Sequence, residues 1–292
     1  MSDRAALASA ILDNLNDDTP RLVFADWLDE HGEGPRAEFI RAQIEAARLP
    51  KARTKSEPEK RANALLRKHG KAWAAALGVP EDSGEYVRGF RANLSADCGK
   101  LLRMAPKLVL EPFTVRLDLS AHFRDGSDAT PAWMKALAAN PVLRTVTEMD
   151  SETGGFGAEL TVPLFKSKHL RNLWKFTVFE NNIGSKGVKA IADSPSPFVL
   201  RHLSLNSGIG ADDDTDEQPD TVKAVGVLAS HPRFAALERL GLQFNSMGAK
   251  CAELLLASKT LTANLALGLA ANRIDSGAEA RLKKRFKVRD FA

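Results

Sequence analysis

The stretch LERLGLQFN, residues 237–245, decides the fold: apolar positions at Leu237, Leu240 and Leu242, then Asn245, then Met247-Gly248 and a helical run to about Ala257-Ser258. Alternating Leu240 and Leu242 suit a short strand with one buried face. The Asn245 carboxamide can satisfy backbone groups where the chain turns out of that strand. The spacing returns at Leu173 (Phe176, Val178, Asn181, then Ile183-Gly184), at Leu200 (Leu203, Leu205) and at Asn264 (Leu267, Leu269, Asn272). Weaker copies start at Val87 (Phe90, Ala92), Thr114 (Leu117, Leu119) and Leu143 (Val146). Successive starts are 27, 29, 30, 27, 37 and 27 residues apart, so one step alone breaks the period. Helical stretches follow the strands at 132–139, 187–192, 224–229 and 251–257, most of them closed by Pro141, Pro195 or Pro232. Helix, proline, strand is the punctuation of a parallel α/β array.

This pattern resembles the leucine-rich repeat, in the long subtype of ribonuclease inhibitor and the activating protein of the Ran GTPase. The resemblance implies an α/β solenoid of about seven units over residues 81–292, with parallel strands lining a concave face. Ser95, His122, Ser151 and Gly208 stand where asparagine is expected, and Glu148 where a buried strand leucine is expected, so the early units are degenerate. The long step holds an acidic insertion at 210–220, expected as a solvated surface loop, and Ala278 to Phe286 reads as a C-terminal helical cap.

Residues 1–80 read differently. Ser2 is placed to cap a first helix through about Leu15 with Leu7, Ile11 and Leu15 on one face; Thr19-Pro20 is placed to open a second with Leu22, Val23, Trp27 and Leu28 inward, before Gly32. Phe39, Ile40 and Ile44 continue at helical spacing to Arg48, and Leu49-Pro50 ends that element. The basic stretch from Lys51 to Lys55 is aperiodic and reads as a linker. Ser56-Glu57-Pro58-Glu59 offers a capping box for a fourth helix packing Leu65, Leu66, Trp73 and Leu77, with Gly70 as a weak point and Gly78 as terminator. The run DDTPRLVFADWLDEHGEGPRAEFIRAQIEAARL, Asp17 to Leu49, resembles the bacterial repeat-companion domain, a short helical module carried ahead of repeats. That resemblance implies an architecture and no reaction.

Composition narrows the function class. The chain has 292 residues, 44% hydrophobic and 27% charged, which suits a buried core and excludes a fibrous or wholly disordered protein. No apolar run approaches the roughly 20 residues of a membrane span, so a soluble cytoplasmic protein is expected. Cys98 and Cys251 lie far apart and read as small buried apolar residues. The six histidines are dispersed, and no phosphate-cradling glycine loop, HExxH helix or GxSxG elbow occurs. Gly154-Gly155-Phe156-Gly157 lacks the following Lys and Ser/Thr of a nucleotide loop and reads as irregular. Asp26, Asp29, Glu30, His31 and Glu38 read as a solvated helix face. Asp212-x-Asp214-x-Asp216 mimics a calcium loop, but Glu217 replaces its glycine and Lys223 its bidentate glutamate. Neither catalysis, a cofactor nor a metal is expected.

The formal charge of +4 is uneven: residues 1–47 are acidic, while Lys51 to Lys71 and Arg281 to Arg289 are basic. The leading expectation is a protein-interaction scaffold, a monomer when alone, that binds an unidentified protein through its concave strand face. Stacking the repeats gives three strand columns. The first runs Gly89, Arg116, Thr145, Lys175, His202, Arg239, Ala266; the second Arg91, Asp118, Thr147, Thr177, Ser204, Gly241, Gly268; the third Asn93, Ser120, Met149, Phe179, Asn206, Gln243, Ala270. Trp174, Phe179 and Phe244 add aromatic surface among cations and amides, a composition that interface hot spots favour. The candidate contact residues are therefore Arg116, Trp174, Lys175, Thr177, Phe179, His202, Ser204, Asn206, Arg239, Gln243 and Phe244. The alternative is a binder of nucleic acid or an anionic surface through the basic linker and tail, without sequence specificity.

Overall fold

Leu240 and Leu267 sit opposite one another on adjacent parallel strands and are fully buried, as the repeat spacing requires. The computed structural model describes residues 3–50, 54–109, 111–120, 130–152, 155–210 and 217–289. His122, Gly154, Lys51 and the Asp212-x-Asp214-x-Asp216 run lie outside the described residues. The protein is α/β and divides into two compact units, Met1–Arg116 with Arg144–Val146, and Leu117–Leu143 with Thr147–Ala292. Residues 81–116 thus group with the helical elements before them.

The first unit opens with four helices, α1 (Asp3–Asp13), α2 (Thr19–Glu30), α3 (Gly34–Arg48) and α4 (Glu57–Leu77). Ser56 and Glu59 form the expected capping box at α4, and Gly78 ends it in the left-handed region at φ 68°. Gly70 does not interrupt α4: the glycine is buried, and a Cβ there would lie 2.9 Å from Leu66 Cδ1. Two expectations need correction. Asp18, not Thr19, is the N-cap of α2, and α2 buries Arg21, Phe24, Ala25 and Leu28 while Val23 is exposed. The inward stripe follows Phe24 because Phe24 packs edge-on against Phe90 at 5.6 Å. In α1, Ala8, Ile11 and Leu12 are the buried residues.

The proposed first repeat at Val87 is not a repeat start. Strand β1 (Glu85–Val87) pairs antiparallel with β2 (Phe90–Asp97), and Val87 faces Phe90 across a two-residue turn, Arg88-Gly89, with both φ values positive. Gly89 is required there, since a Cβ would lie within 2.9 Å of Ile40 on α3. Along β2 the buried positions are Phe90, Arg91, Leu94 and Ala96, not Ala92. Helix α5 (Cys98–Met104) follows, capped by Asp97, and buries Cys98.

The first unit also buries a cation. The Arg36 guanidinium is ion-paired with Glu111 and lies 4.7 Å from the Trp73 ring centroid, 5.3 Å from Phe39 and 5.5 Å from Tyr86 and Phe90. Burial pushes the Glu111 carboxyl up, and the guanidinium opposes that shift.

In the second unit strands and helices alternate. Strand β3 (Phe113–Asp118) carries the chain across the division between units. Then come α6 (Pro131–Ala138), β4 (Val146–Glu152), α7 (Ala158–Phe165), β5 (Lys175–Phe179), α8 (Gly184–Ala192), β6 (His202–Asn206) and α9 (Pro219–Ser230). They are followed by β7 (Arg239–Gly241), α10 (Ala249–Ala257), β8 (Ala266–Gly268), α11 (Ser276–Arg285) and β9 (Lys287–Val288). From β4 to β9 each strand pairs parallel with the next. Phe176, Leu203, Leu240 and Leu267 align in register, as the spacing predicts.

The third unit is displaced. Met149, not Val146, pairs with Phe176, so the expected start at Leu143 is three residues early. Ser151 therefore occupies a buried strand position opposite Val178 and not the asparagine position. Helix α7 follows β4 as the strand-helix alternation predicts, with Pro163 inside it and a glycine run before it. Within that run Phe156 is fully buried and donates its N–H to Asn181 Oδ1 at 2.9 Å. The terminal strand β9 is too short to leave a periodic signal.

The asparagines act as the sequence predicts. Buried Asn245 donates from Nδ2 to Leu205 O (2.8 Å) and Gln243 O (3.0 Å), while its Oδ1 accepts from Gly208, Ile209 and Gly210 N–H at 3.1, 3.0 and 3.3 Å. Asn272 likewise reaches Leu242 O at 2.8 Å and accepts from Asn245 and Met247 N–H, both at 3.1 Å. Asn181 donates to Ser151 O at 2.9 Å and Phe179 O at 2.7 Å. Each asparagine binds its own strand and that of the preceding unit. The residue before each asparagine position is left-handed: Glu180, Ser207, Phe244 and Ala271 have φ of 55°, 47°, 58° and 54°.

Asn245→Ala strands these buried backbone groups and is expected to lower unfolding stability by about 3 kcal/mol in a urea titration. A loss below about 1 kcal/mol would show that the carboxamide is replaceable. In the first unit, Arg36→Ala leaves Glu111 buried and unpaired and is expected to cost about 3–5 kcal/mol, while Arg36→Met with Glu111→Leu recovers most of it.

Candidate interaction face

On β5 and β6 burial alternates strictly: Phe176, Val178, Leu203 and Leu205 are buried, while Lys175, Thr177, Phe179, His202, Ser204 and Asn206 are partly exposed on the other face. Parallel pairing stacks these into columns. One runs Glu148, Lys175, His202, Arg239 and Ala266, and the next runs Asp150, Thr177, Ser204, Gly241 and Gly268. A third begins Glu152, Phe179, Asn206. The structure thus brings together eight expected residues, Lys175, Thr177, Phe179, His202, Ser204, Asn206, Arg239 and Gln243.

The amides extend the third column. Asn206 Nδ2 donates to Gln243 Oε1 at 3.1 Å, and Gln243 N–H donates to Asn206 Oδ1 at 3.0 Å. Gly241 leaves room for this pair, since a Cβ there would lie 2.8 Å from both Asn206 Oδ1 and Ser204 Oγ. Trp174 meets His202 edge-on at 5.0 Å. Phe244 lies in the turn after β7 and is 47% exposed. Arg116 is exposed but belongs to the first compact unit.

The displaced third unit changes the chemistry of the face. Thr145, Thr147 and Met149, expected in the columns, are buried. Glu148, Asp150 and Glu152 take their places, Glu148 itself buried, so the columns pass from carboxylates on β4 to Lys175 on β5 and Arg239 on β7. Lys175 Nζ lies 3.2 Å from Glu148 Oε2 at that boundary. Burial, followed by the nearby charges of Asp118 and Glu152, raises Asp150 to about 6. Burial, then Arg239, lowers His202 and keeps it neutral at pH 7. The alternation Glu148, Asp150, Glu152 was a legible period-two signal; treating Glu148 as a degenerate leucine concealed it.

Other candidate groups have structural partners. Arg41 takes Asp26 and Asp29 at 2.8 and 3.0 Å, and His31 stacks on Trp27 at 3.9 Å. From the acidic insertion, Glu217 accepts from Gly248, Lys250 and Cys251 N–H at 2.8, 3.1 and 2.8 Å, capping α10. Asp220 accepts from Ser185 N–H at 2.8 Å at the start of α8. These two acids are helix caps, not parts of a solvated loop. Burial and then Glu217 push the Cys251 thiol up, which leaves it protonated and inert. In the C-terminal basic cluster, Arg281 pairs with Glu253 at 2.7 Å and Lys283 with Glu279 at 2.5 Å, while Arg285 donates to the Ser258 carbonyl. Among the described residues no three His, Cys, Asp or Glu side chains group to hold a metal, and no helix is long and apolar enough to cross a membrane. No protein-family model and no curated protein matches the chain.

Because the native state raises the Asp150 pKa above the unfolded value of 3.8, the native protein binds the extra proton between about pH 4 and 6 and loses stability as pH rises through that window. Asp150→Asn is expected to stabilise the protein at pH 7.5 by on the order of 1 kcal/mol, allowing for solvent screening. The gain should vanish near pH 4, which thermal unfolding at both pH values would check.

Proposed function

We propose that the chain is a non-catalytic protein-interaction scaffold: a helical module of the repeat-companion type, followed by a ribonuclease-inhibitor-like leucine-rich-repeat solenoid that binds a protein partner through its strand face. Four features support the solenoid reading: in-register Phe176, Leu203, Leu240 and Leu267, asparagines bonded to the preceding unit, a left-handed residue before each asparagine position, and strictly alternating strands and helices.

Phe244 carries the binding reading. The backbone turn after each of β5 to β8 holds a left-handed residue, and Glu180, Ser207 and Ala271 fill it in the other three units. A phenylalanine there costs on the order of 1 kcal/mol of strain, and its ring is 47% exposed. Nothing in the repeat geometry calls for an aromatic at that position. Beside the Asn206–Gln243 amide pair it has the makeup of an interface anchor: an apolar ring bordered by oriented polar groups. The electrostatic alternative is disfavoured, because Arg281, Lys283 and Arg285 in the tail and Lys60 and Arg61 beyond the linker are engaged by carboxylates or carbonyls.

Phe244→Asn tests the reading with opposite signs. Asparagine tolerates the left-handed region, so the variant is expected to gain about 0.5 kcal/mol in stability and to lose partner capture from native extract at about 0.3 M salt. Trp174→Ala with Phe179→Ala should also lose it, and Lys283→Glu with Lys284→Glu should not. Capture that survives Phe244→Asn but fails in the tail variant would replace the strand-face reading with the electrostatic one.

A further inference from the structure

On the helical side of the second unit, away from the strand columns in sequence, four exposed lysines line two adjoining depressions. Two adjoining depressions of about 410 and 360 Å3 share Lys135 of α6, Pro163 of α7 and Lys166 just beyond α7. Lys168 lines the first and Lys186 of α8 the second. All four lysines are exposed, and none forms an ion pair with another described residue. Other cations of the unit do have carboxylate partners, as in Lys189–Asp193 at 2.7 Å, Arg201–Glu238 and Arg281–Glu253.

Lys186 acts on the Asp220 carboxylate, which the Ser185 N–H already holds at 2.8 Å. Glu159 lines the second depression but folds back over the start of its own helix, with Oε1 2.7 Å from where a Gly157 Cβ would stand. There the helix N-terminus stabilises it. Conversely, Lys135 and Lys166 lie at the C-terminal ends of α6 and α7, whose partial negative charge tolerates them when nothing is bound. The floor between the amines is apolar: Pro163 has no N–H to offer, and Val162 and Ala138 complete it.

We propose that this lysine-rimmed groove is a second docking surface, which receives an acidic segment of a protein partner carrying a leucine-sized apolar side chain between its carboxylates. Flexible ammonium groups reach carboxylates on either side while the apolar residue displaces water from Pro163 and Val162. Two depressions sharing two lysines favour a ligand with several linked charges over a single anion. The surface is independent of the strand face, and either can stand if the other fails.

The test uses the full chain and a fluorescein-labelled octapeptide of six glutamates and two leucines, followed by anisotropy at low salt and at about 0.3 M salt. Binding is expected at low salt and weakened by salt. Lys135→Ala with Lys166→Ala should weaken it at least tenfold, while Lys283→Ala with Lys284→Ala, which removes the same charge elsewhere, should change it less than twofold. Replacing both leucines by serine should weaken binding at least threefold. Phe244→Asn should leave peptide binding unchanged, which separates this surface from the strand face. Equal losses in the two lysine pairs would reduce the effect to bulk charge and overturn the proposal. So would tripolyphosphate or single-stranded nucleic acid competing as well as unlabelled peptide, or the absence of binding at low salt.

Discussion

Everything in the second unit depends on one constraint: where a buried strand ends, its backbone groups must be satisfied without water. Asn181, Asn245 and Asn272 do this from inside, each joining its own turn to the preceding strand. A buried amide or carbonyl left unpaired would cost about as much as a large apolar side chain contributes. One carboxamide thus decides whether two neighbouring units stay together. The helices obey the same logic from unit to unit. Glu217 and Asp220 satisfy the N-termini of α10 and α8, while Arg233 donates to carbonyls of Ala192, Ser194, Ser196 and Phe198. Stability is thus shared between elements that are neighbours in the parallel sheet.

Because structural duty falls on the buried face and the turns, the opposite strand face is free to vary. Its first column passes from Glu148 through Lys175, His202 and Arg239 to Ala266 without disturbing the buried leucines behind it. That separation lets one backbone carry many recognition surfaces. It also makes deviations informative. Four successive units carry a left-handed residue at this turn, so strain at Phe244 is no anomaly of the fold, but among them an aromatic bears it at this position alone.

The first unit solves a different problem. Helices α3 and α4 and the hairpin converge on Arg36, whose charge is held by Glu111 and the surrounding rings of Phe39, Trp73, Tyr86 and Phe90. A buried cation of this kind is costly unless every neighbour is in place, so it ties the helices to the segment that follows them. Nothing in the local sequence marks Arg36 as buried, because an arginine in an amphipathic helix ordinarily faces solvent and its partner Glu111 is far along the chain.

The sequence by itself determined the strong units. The spacing of Leu173, Leu200, Leu237 and Asn264 set the strands, their register and the turn asparagines, because period-two burial and a fixed repeat length leave one alignment. It also set the capping box at Ser56, where the interaction is local. Tertiary structure alone decided the rest. The third unit slid by three residues because Met149 fills the core site beside Phe176, which puts Glu148 opposite Lys175, its ion-pair partner. The hairpin at Val87 formed because Gly89 lets the chain approach Ile40, a contact between residues far apart in sequence. Local spacing specifies an element when its partners repeat at a known distance. Where the partner is a single distant residue, only packing and desolvation choose.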